Sequence, residues 1–217
     1  MGLILVCWVW FNYIFQVEST YIKILILFAT IRLICYGLLF IRWGSNRKYA
    51  LLGGQRGVAQ VLSYEVCLFL FILFNLFVAN SFRIYHIEIN QQGIWMCLMA
   101  IPFFLVWVTL CIAESNRTPF DIAEGEREIV SGFNIEYRSG LFALIFIREY
   151  GMIIFLRYLT AFLFLGRRRI LKVFLVCFLF VWVRCAFPRV RYDQLIFFSW
   201  KIALPISLMA LLIALVF

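Results

Sequence analysis

Six of the chain's eleven acidic residues lie in one stretch, AESNRTPFDIAEGEREIVSGFNIEY at 113–137: Glu114, Asp121, Glu124, Glu126, Glu128 and Glu136. Carboxylates crowded where water is scarce resist joint ionisation, because like charge and desolvation both raise their proton affinity toward neutral pH. Groups poised in that way can load and release protons. The same pattern also suits a solvated acidic face on an ordinary loop, and charge spacing alone leaves both readings open. Two further carboxylates stand in apolar surroundings, Glu65 in QVLSYEVCLFL and Glu149 in FIREYGMII. A carboxylate at bilayer depth is costly and by default marks an ion or proton route. It is also compatible with a structural pair to a base on a neighbouring helix, such as Arg56 or Arg148. With Glu114, these two extend a chain of buried acid inward from the loop. Gln60, Ser63 and Tyr64 are placed to hydrogen-bond Glu65 on either reading.

The elements that must hold these acids follow from the residues around them. Thr118 suits a helix cap, Pro119 the first helical position and Asp121 the acid of a capping box. A helix from Pro119 to about Ser131 puts Asp121, Glu124 and Glu128 on one face by their i, i+3, i+7 spacing, with Glu126 turned elsewhere. Gly132 can end it. Beyond the loop the chain is 65% apolar and only 14% charged, against roughly half and a quarter in ordinary soluble domains. Long stretches almost free of charge are the mark of transmembrane helices. Candidate spans are 2–17, 20–41, 57–79, 94–113, 141–165, 170–187 and 199–217. The first lacks a charged leader and a small-residue cleavage site, so it reads as a short or tilted span rather than a signal peptide. The expected fold is an all-α integral membrane protein. It forms one membrane domain, 1–217, a bundle of about seven transmembrane helices with a matrix- or cytoplasm-side acidic loop, 114–140, containing short helices.

The formal charge of +9 would suggest nucleic acid in a soluble chain. Here the bases sit at span ends, which favours the membrane and excludes a nucleic-acid partner. Counted over alternate loops, eleven bases lie on the acidic-loop side and six on the other, so that side faces the matrix or cytoplasm. The GRRR run at 166–169 opposes this locally. It reads as a solvated loop end, or as a contact for anionic lipid or an acidic partner. The seven cysteines form no CxxC pair and lie in or beside apolar spans, where they act as small apolar filler. His86 is the single histidine, too few for bis-histidine haem, and no His/Cys cluster offers a zinc site. There is no GxGxxG and no Walker loop for a nucleotide.

The loop AESNRTPFDIAEGEREIVSGFNIEY resembles the signature loop of membrane subunit 1 of NADH–quinone oxidoreductase, respiratory complex I. NRKYALLGGQRGVAQVLSYEV at 46–66, FALIFIREYGMII at 142–154, VRCAFPRVRYDQL at 183–195 and WKIALPISL at 200–208 resemble the same family in order and spacing. The resemblance runs from about residue 20 to the C-terminus. It implies a junction subunit that helps form the quinone tunnel and couples quinone reduction to proton translocation, inactive alone. It implies a proton path through Glu65, Glu114, Asp121, Glu124, Glu126, Glu128, Glu136 and Glu149. It places Arg56, Arg117, Phe120, Asp121 and Phe142 on the quinone-tunnel side, and Arg184, Arg189, Arg191 and Asp193 against the peripheral arm. Quinone, ubiquinone, is implied as substrate at a shared site, with no metal, flavin or haem held by this chain. The implied partners are the other membrane-arm and peripheral-arm subunits of complex I, and membrane lipids.

Departures from the family are also visible. The family's first span and its GLLQPxADxxK loop have no counterpart here, which implies a separate chain carrying them, as from a split gene, or a modified complex. Arg127 and Arg148 stand where the family has small residues, and Arg32 and Arg157 fall within candidate spans, where a charge needs a partner, water or snorkelling. The implied location is the mitochondrial inner membrane, which an excess of Phe, Ile, Leu and Tyr suits; a bacterial plasma membrane is the other coupling membrane. The competing functions are a stand-alone proton or cation carrier and a non-catalytic structural anchor.

Overall fold

This computed structural model describes residues 36, 40, 44, 48–80, 87, 90–91, 95–121, 139–166 and 170–216, with only the backbone at 49–52, 139, 141 and 142. All regular structure among them is helical. Helix α1 runs Lys48–Val78, α2 Met96–Met99, α3 Ile101–Glu114, α4 Ser139–Leu165 and α5 Ile170–Ala186. Helix α6, Tyr192–Phe198, passes through a π-helical turn, Ser199–Ala203, into α7, Leu204–Val216. Two stretches are long and apolar enough to cross a membrane, Gly53–Val78 with 26 residues and Tyr192–Val216 with 25, while Ile101–Glu114 is a shorter apolar helix. At 1.5 Å per residue the first is about 39 Å long, against a hydrocarbon core of about 30 Å. The ranges 2–17 and 20–41 lie outside the described residues, apart from Tyr36 and Phe40, both helical.

Of the range 94–113, expected as one span, the described residues from 95 on hold two helices, Met96–Met99 and the start of Ile101–Glu114. The chain leaves helical geometry at Ala100, with φ −133° and ψ 55°. Pro102 is the reason: it has no N–H for the carbonyl of Leu98 and its ring crowds that carbonyl. Its fixed φ suits the first turn of a new helix, where the missing donor costs nothing. Pro205 acts similarly at the other end of the chain. The π turn lies just before it, closed by the Leu204 N–H on the Ser199 carbonyl, which lets a continuous helix absorb a residue that cannot donate.

Helix α1 is the hub, packing against α7, α3 and the π turn, while α4 pairs with α5. Lipid is as apolar as leucine, so helices of this kind associate by close packing and hydrogen bonds rather than by hydrophobic burial. Along the π turn and α7, Ser199, Ala203, Ser207 and Ala210 are buried at steps of four, four and three, a small-residue seam. It lets the backbones approach closely: the Cys67 thiol donates to the Ser199 carbonyl at 3.7 Å. Between α3 and α4, the fully buried Trp107 donates through Nε1 to Thr160 Oγ1 at 3.1 Å, and Thr160 donates to the Leu156 carbonyl at 2.7 Å. Around Trp107, the Phe71 ring sits edge-on at 6.4 Å and the Phe164 ring tilted at 5.7 Å. The outer face of α5 is apolar and exposed at Ile170, Leu171, Phe174, Phe178 and Trp182.

The α4–α5 hairpin closes at Gly166, whose φ of +69° is left-handed. A Cβ there would stand 2.9 Å from Gln91 Cβ. Gln91 Nε2 donates to the Leu163 carbonyl at 2.6 Å and Lys172 Nζ donates to the Leu165 carbonyl. Side chains thus take up two of the carbonyls left over at the end of α4.

Candidate functional site

The described acids converge where α1, α3 and α4 meet the turn after α3. Glu65 on α1 and Glu114, the last residue of α3, are both buried. Glu114 is within electrostatic reach of Glu65 and of Arg148 on α4, itself buried. Glu114 Oε2 is buried without a hydrogen bond among the described residues. One position on from Arg148, Glu149 Oε2 accepts from Arg117 Nη2 at 2.9 Å. The Arg117 guanidinium lies 5.0 Å from the Phe146 ring centroid and 5.2 Å from that of Tyr150. Aromatic faces favour a cation there, so both rings help keep Arg117 beside Glu149.

The turn itself is fixed by its carbonyls. Gln60 Nε2 donates to the carbonyls of Phe120 at 3.0 Å and Ala113 at 3.4 Å, and the Tyr64 hydroxyl donates to that of Ala113 at 3.0 Å. The Val190 N–H donates to the Pro119 carbonyl at 2.9 Å, and Arg189 donates to the Asp121 carbonyl. The helix expected to begin at Pro119 therefore does not begin there. Residues 117–120 form a turn closed by the Phe120 N–H on the Arg117 carbonyl at 2.9 Å, with a cis Thr118–Pro119 bond, and the rest of the expected helix, 122–131, lies outside the described residues. The carbonyls of Pro119, Phe120 and Asp121 accept from Val190, Gln60 and Arg189, on α1 and the α5–α6 connection. Gln60 and Tyr64, expected around Glu65, share one face of α1 and clamp this turn. Ser63 Oγ donates to the Gln60 carbonyl at 2.7 Å.

Arginines close the site from the α5–α6 side. Arg184, in the last turn of α5, donates through Nη2 to Ser115 Oγ at 3.1 Å. Arg189 Nη2 stands 3.7 Å from Asp121 Oδ2. Arg191 and Asp193 form a separate exposed pair at 3.4 Å. Of the residues expected on the tunnel side, Phe120 packs half-buried against the core and Arg56 is half-buried on α1. Phe142 lies in α4, its side chain not described, and Glu124, Glu126, Glu128 and Glu136 lie outside the described residues. No group of His, Cys, Asp and Glu among the described residues could hold a metal ion.

Sequence reasoning missed two supports. The clamp by Gln60 and Tyr64 had a signal, their i, i+4 spacing on α1. The Arg184–Ser115 contact had none, since it joins positions 69 residues apart.

Two apolar stretches long enough to cross a membrane, in an all-helical fold, are the pattern of a helical membrane protein. The chain belongs to the NADH dehydrogenase family, whose model, described as NADH dehydrogenase, matches residues 1–215. Over 209 residues it is 43% identical to the NADH-ubiquinone oxidoreductase chain 1 of Anopheles gambiae, covering 94% of this chain and 67% of that relative. The protein of the same name from Patiria pectinifera is 40% identical over 221 residues, covering 96% and 68%. That of Papio hamadryas is 43% identical over 201 residues, covering 87% and 63%. The chain thus spans about two-thirds of the length of these relatives.

Proposed function

We propose that this chain is a junction subunit of NADH–ubiquinone oxidoreductase, a multi-pass protein of the mitochondrial inner membrane that couples quinone reduction to proton translocation. The observation that carries this reading is the series of acids at one end of the fold. Asp121 lies on the turn, Glu149 pairs with Arg117, and Glu114 and Glu65 are buried behind them. Quinone reduction consumes protons and shifts charge beside the turn, on the side of Arg117 and Phe120. Asp121 and the acids of 124–136 respond by changing protonation, and Glu149, Glu114 and Glu65 pass the change into the membrane plane. In a low-dielectric series each protonation biases the next, so the acids titrate as a coupled set. Arg191 and Asp193 are exposed beyond the turn and serve as contacts for a peripheral-arm subunit.

The test uses Glu65→Gln and Glu114→Gln in the assembled complex. Each variant keeps the shape and hydrogen-bonding capacity but removes the titrating group. Proton pumping linked to quinone reduction falls about a hundredfold or more, the scale of a lost proton-transfer group, while NADH oxidation by an artificial acceptor is unchanged. Wild-type pumping and quinone turnover in both variants would establish a structural anchor instead.

A further inference from the structure

Gln60 is fully buried on α1, and its amide spans the turn after α3. Its Nε2 donates to the Phe120 carbonyl at 3.0 Å and to the Ala113 carbonyl at 3.4 Å. Only the nitrogen of an amide side chain donates, so these two acceptors fix which way round the group stands. They leave Oε1 buried with no hydrogen bond among the described residues. A buried acceptor without a donor is destabilising. An apolar side chain of the same length would suit the buried face of α1 and carry no such cost, so packing alone does not account for Gln60. The two ends of the turn differ in what else holds them. The Ala113 carbonyl also accepts from the Tyr64 hydroxyl at 3.0 Å. The Phe120 carbonyl has no second side-chain donor among the described residues. The Phe120 ring packs half-buried against the core, so the bond from Gln60 sets where that ring stands.

We infer that Gln60 is a positioning residue for quinone binding. Its amide ties the Phe120 end of the turn, on the proposed quinone side, to the Ala113 end, next to Glu114. The tie acts on quinone affinity through Phe120. It takes no part in proton transfer, because an amide does not titrate. The inference rests on the reading that quinone is reduced beside this turn.

The test measures KM and kcat for a short-chain ubiquinone in the assembled complex. Gln60→Met keeps the length of the side chain and removes both donors. It raises KM about tenfold, the scale of one lost hydrogen bond, with kcat within about twofold of wild type. NADH oxidation by an artificial acceptor is unchanged. Gln60→Asn keeps the donors on a shorter stem and raises KM about threefold, part of the same loss. A purely structural role lowers the amount of assembled complex and leaves both constants alone. An unchanged KM in Gln60→Met, or a fall in kcat with KM unchanged, overturns the inference. Should Gln60→Met fail to assemble, an unchanged KM in Gln60→Asn overturns it; failure of both to assemble makes Gln60 structural and overturns it as well. Wild-type pumping in Glu65→Gln and Glu114→Gln removes the underlying reading. Lost pumping in those variants with an unchanged quinone KM in Gln60→Met removes this inference alone.

Discussion

Arg117 binds Glu149 at 2.9 Å with side chains that are 21% and 9% exposed, so the pair is far less screened than a surface ion pair. Removing one partner of such a pair leaves the other desolvated, which costs far more than the pair itself contributes. Arg117→Ala is expected to destabilise the fold by about 3 kcal/mol. In a Glu149→Gln background the same change costs clearly less, because no charge is stranded. A double-mutant cycle on the thermal stability of the assembled complex measures the difference. Additive costs would mean that Arg117 acts through its contacts with Phe146 and Tyr150 rather than through Glu149. Asp121 is a contrasting case: its side chain is 20% exposed and 3.7 Å from Arg189, a longer and more screened ion pair.

At the scale of elements, the helix ends carry the constraint. Gly166 ends α4 in a left-handed conformation, with Gln91 packed where a side chain would go. Gly166→Ala meets both penalties, the Cβ clash of the left-handed backbone and the contact with Gln91. Its expected cost is about 2 kcal/mol, read as a lower midpoint temperature for the assembled complex. Relaxation of the turn without loss of stability would show that Gln91 yields. The break at Ala100 and the π turn before Pro205 follow the same logic: proline removes a donor, and the helix either stops or widens. The small-residue seam of Ser199, Ala203, Ser207 and Ala210 then holds the widened helix against α1.

For the whole molecule, the turn after α3 is the point where separate elements are joined. Gln60 and Tyr64 of α1, Arg184 of α5 and Arg189 and Val190 of the α5–α6 connection all bind it. A carrier working alone would need a complete route within the chain. A junction subunit needs only to relay charge to and from partners. The purified chain in proteoliposomes is therefore expected to give no proton flux above protein-free vesicles under an imposed pH gradient, whereas the assembled complex pumps on NADH and quinone. Steady flux from the chain alone, lost in Glu114→Gln, would establish the carrier.

What one residue's type and position suffice to decide was readable in the sequence: the apolar character, the carboxylates Glu65 and Glu149 within apolar stretches, and the arginines that fall inside such stretches. The loop motif and its companions carried the family. What depended on which elements meet was not. Thr118, Pro119 and Asp121 have the local chemistry of a helix start, yet the chain turns there and distant groups bond its carbonyls. A pair between Glu149 and a base on a neighbouring helix was foreseeable as a type, but the choice of Arg117 needed the turn after α3 to be folded back over α4. Local propensity is set by a few neighbouring residues, whereas hydrogen bonds and ion pairs go to whatever donor or charge the packing brings within about 3 Å. That distance is a property of the tertiary structure alone.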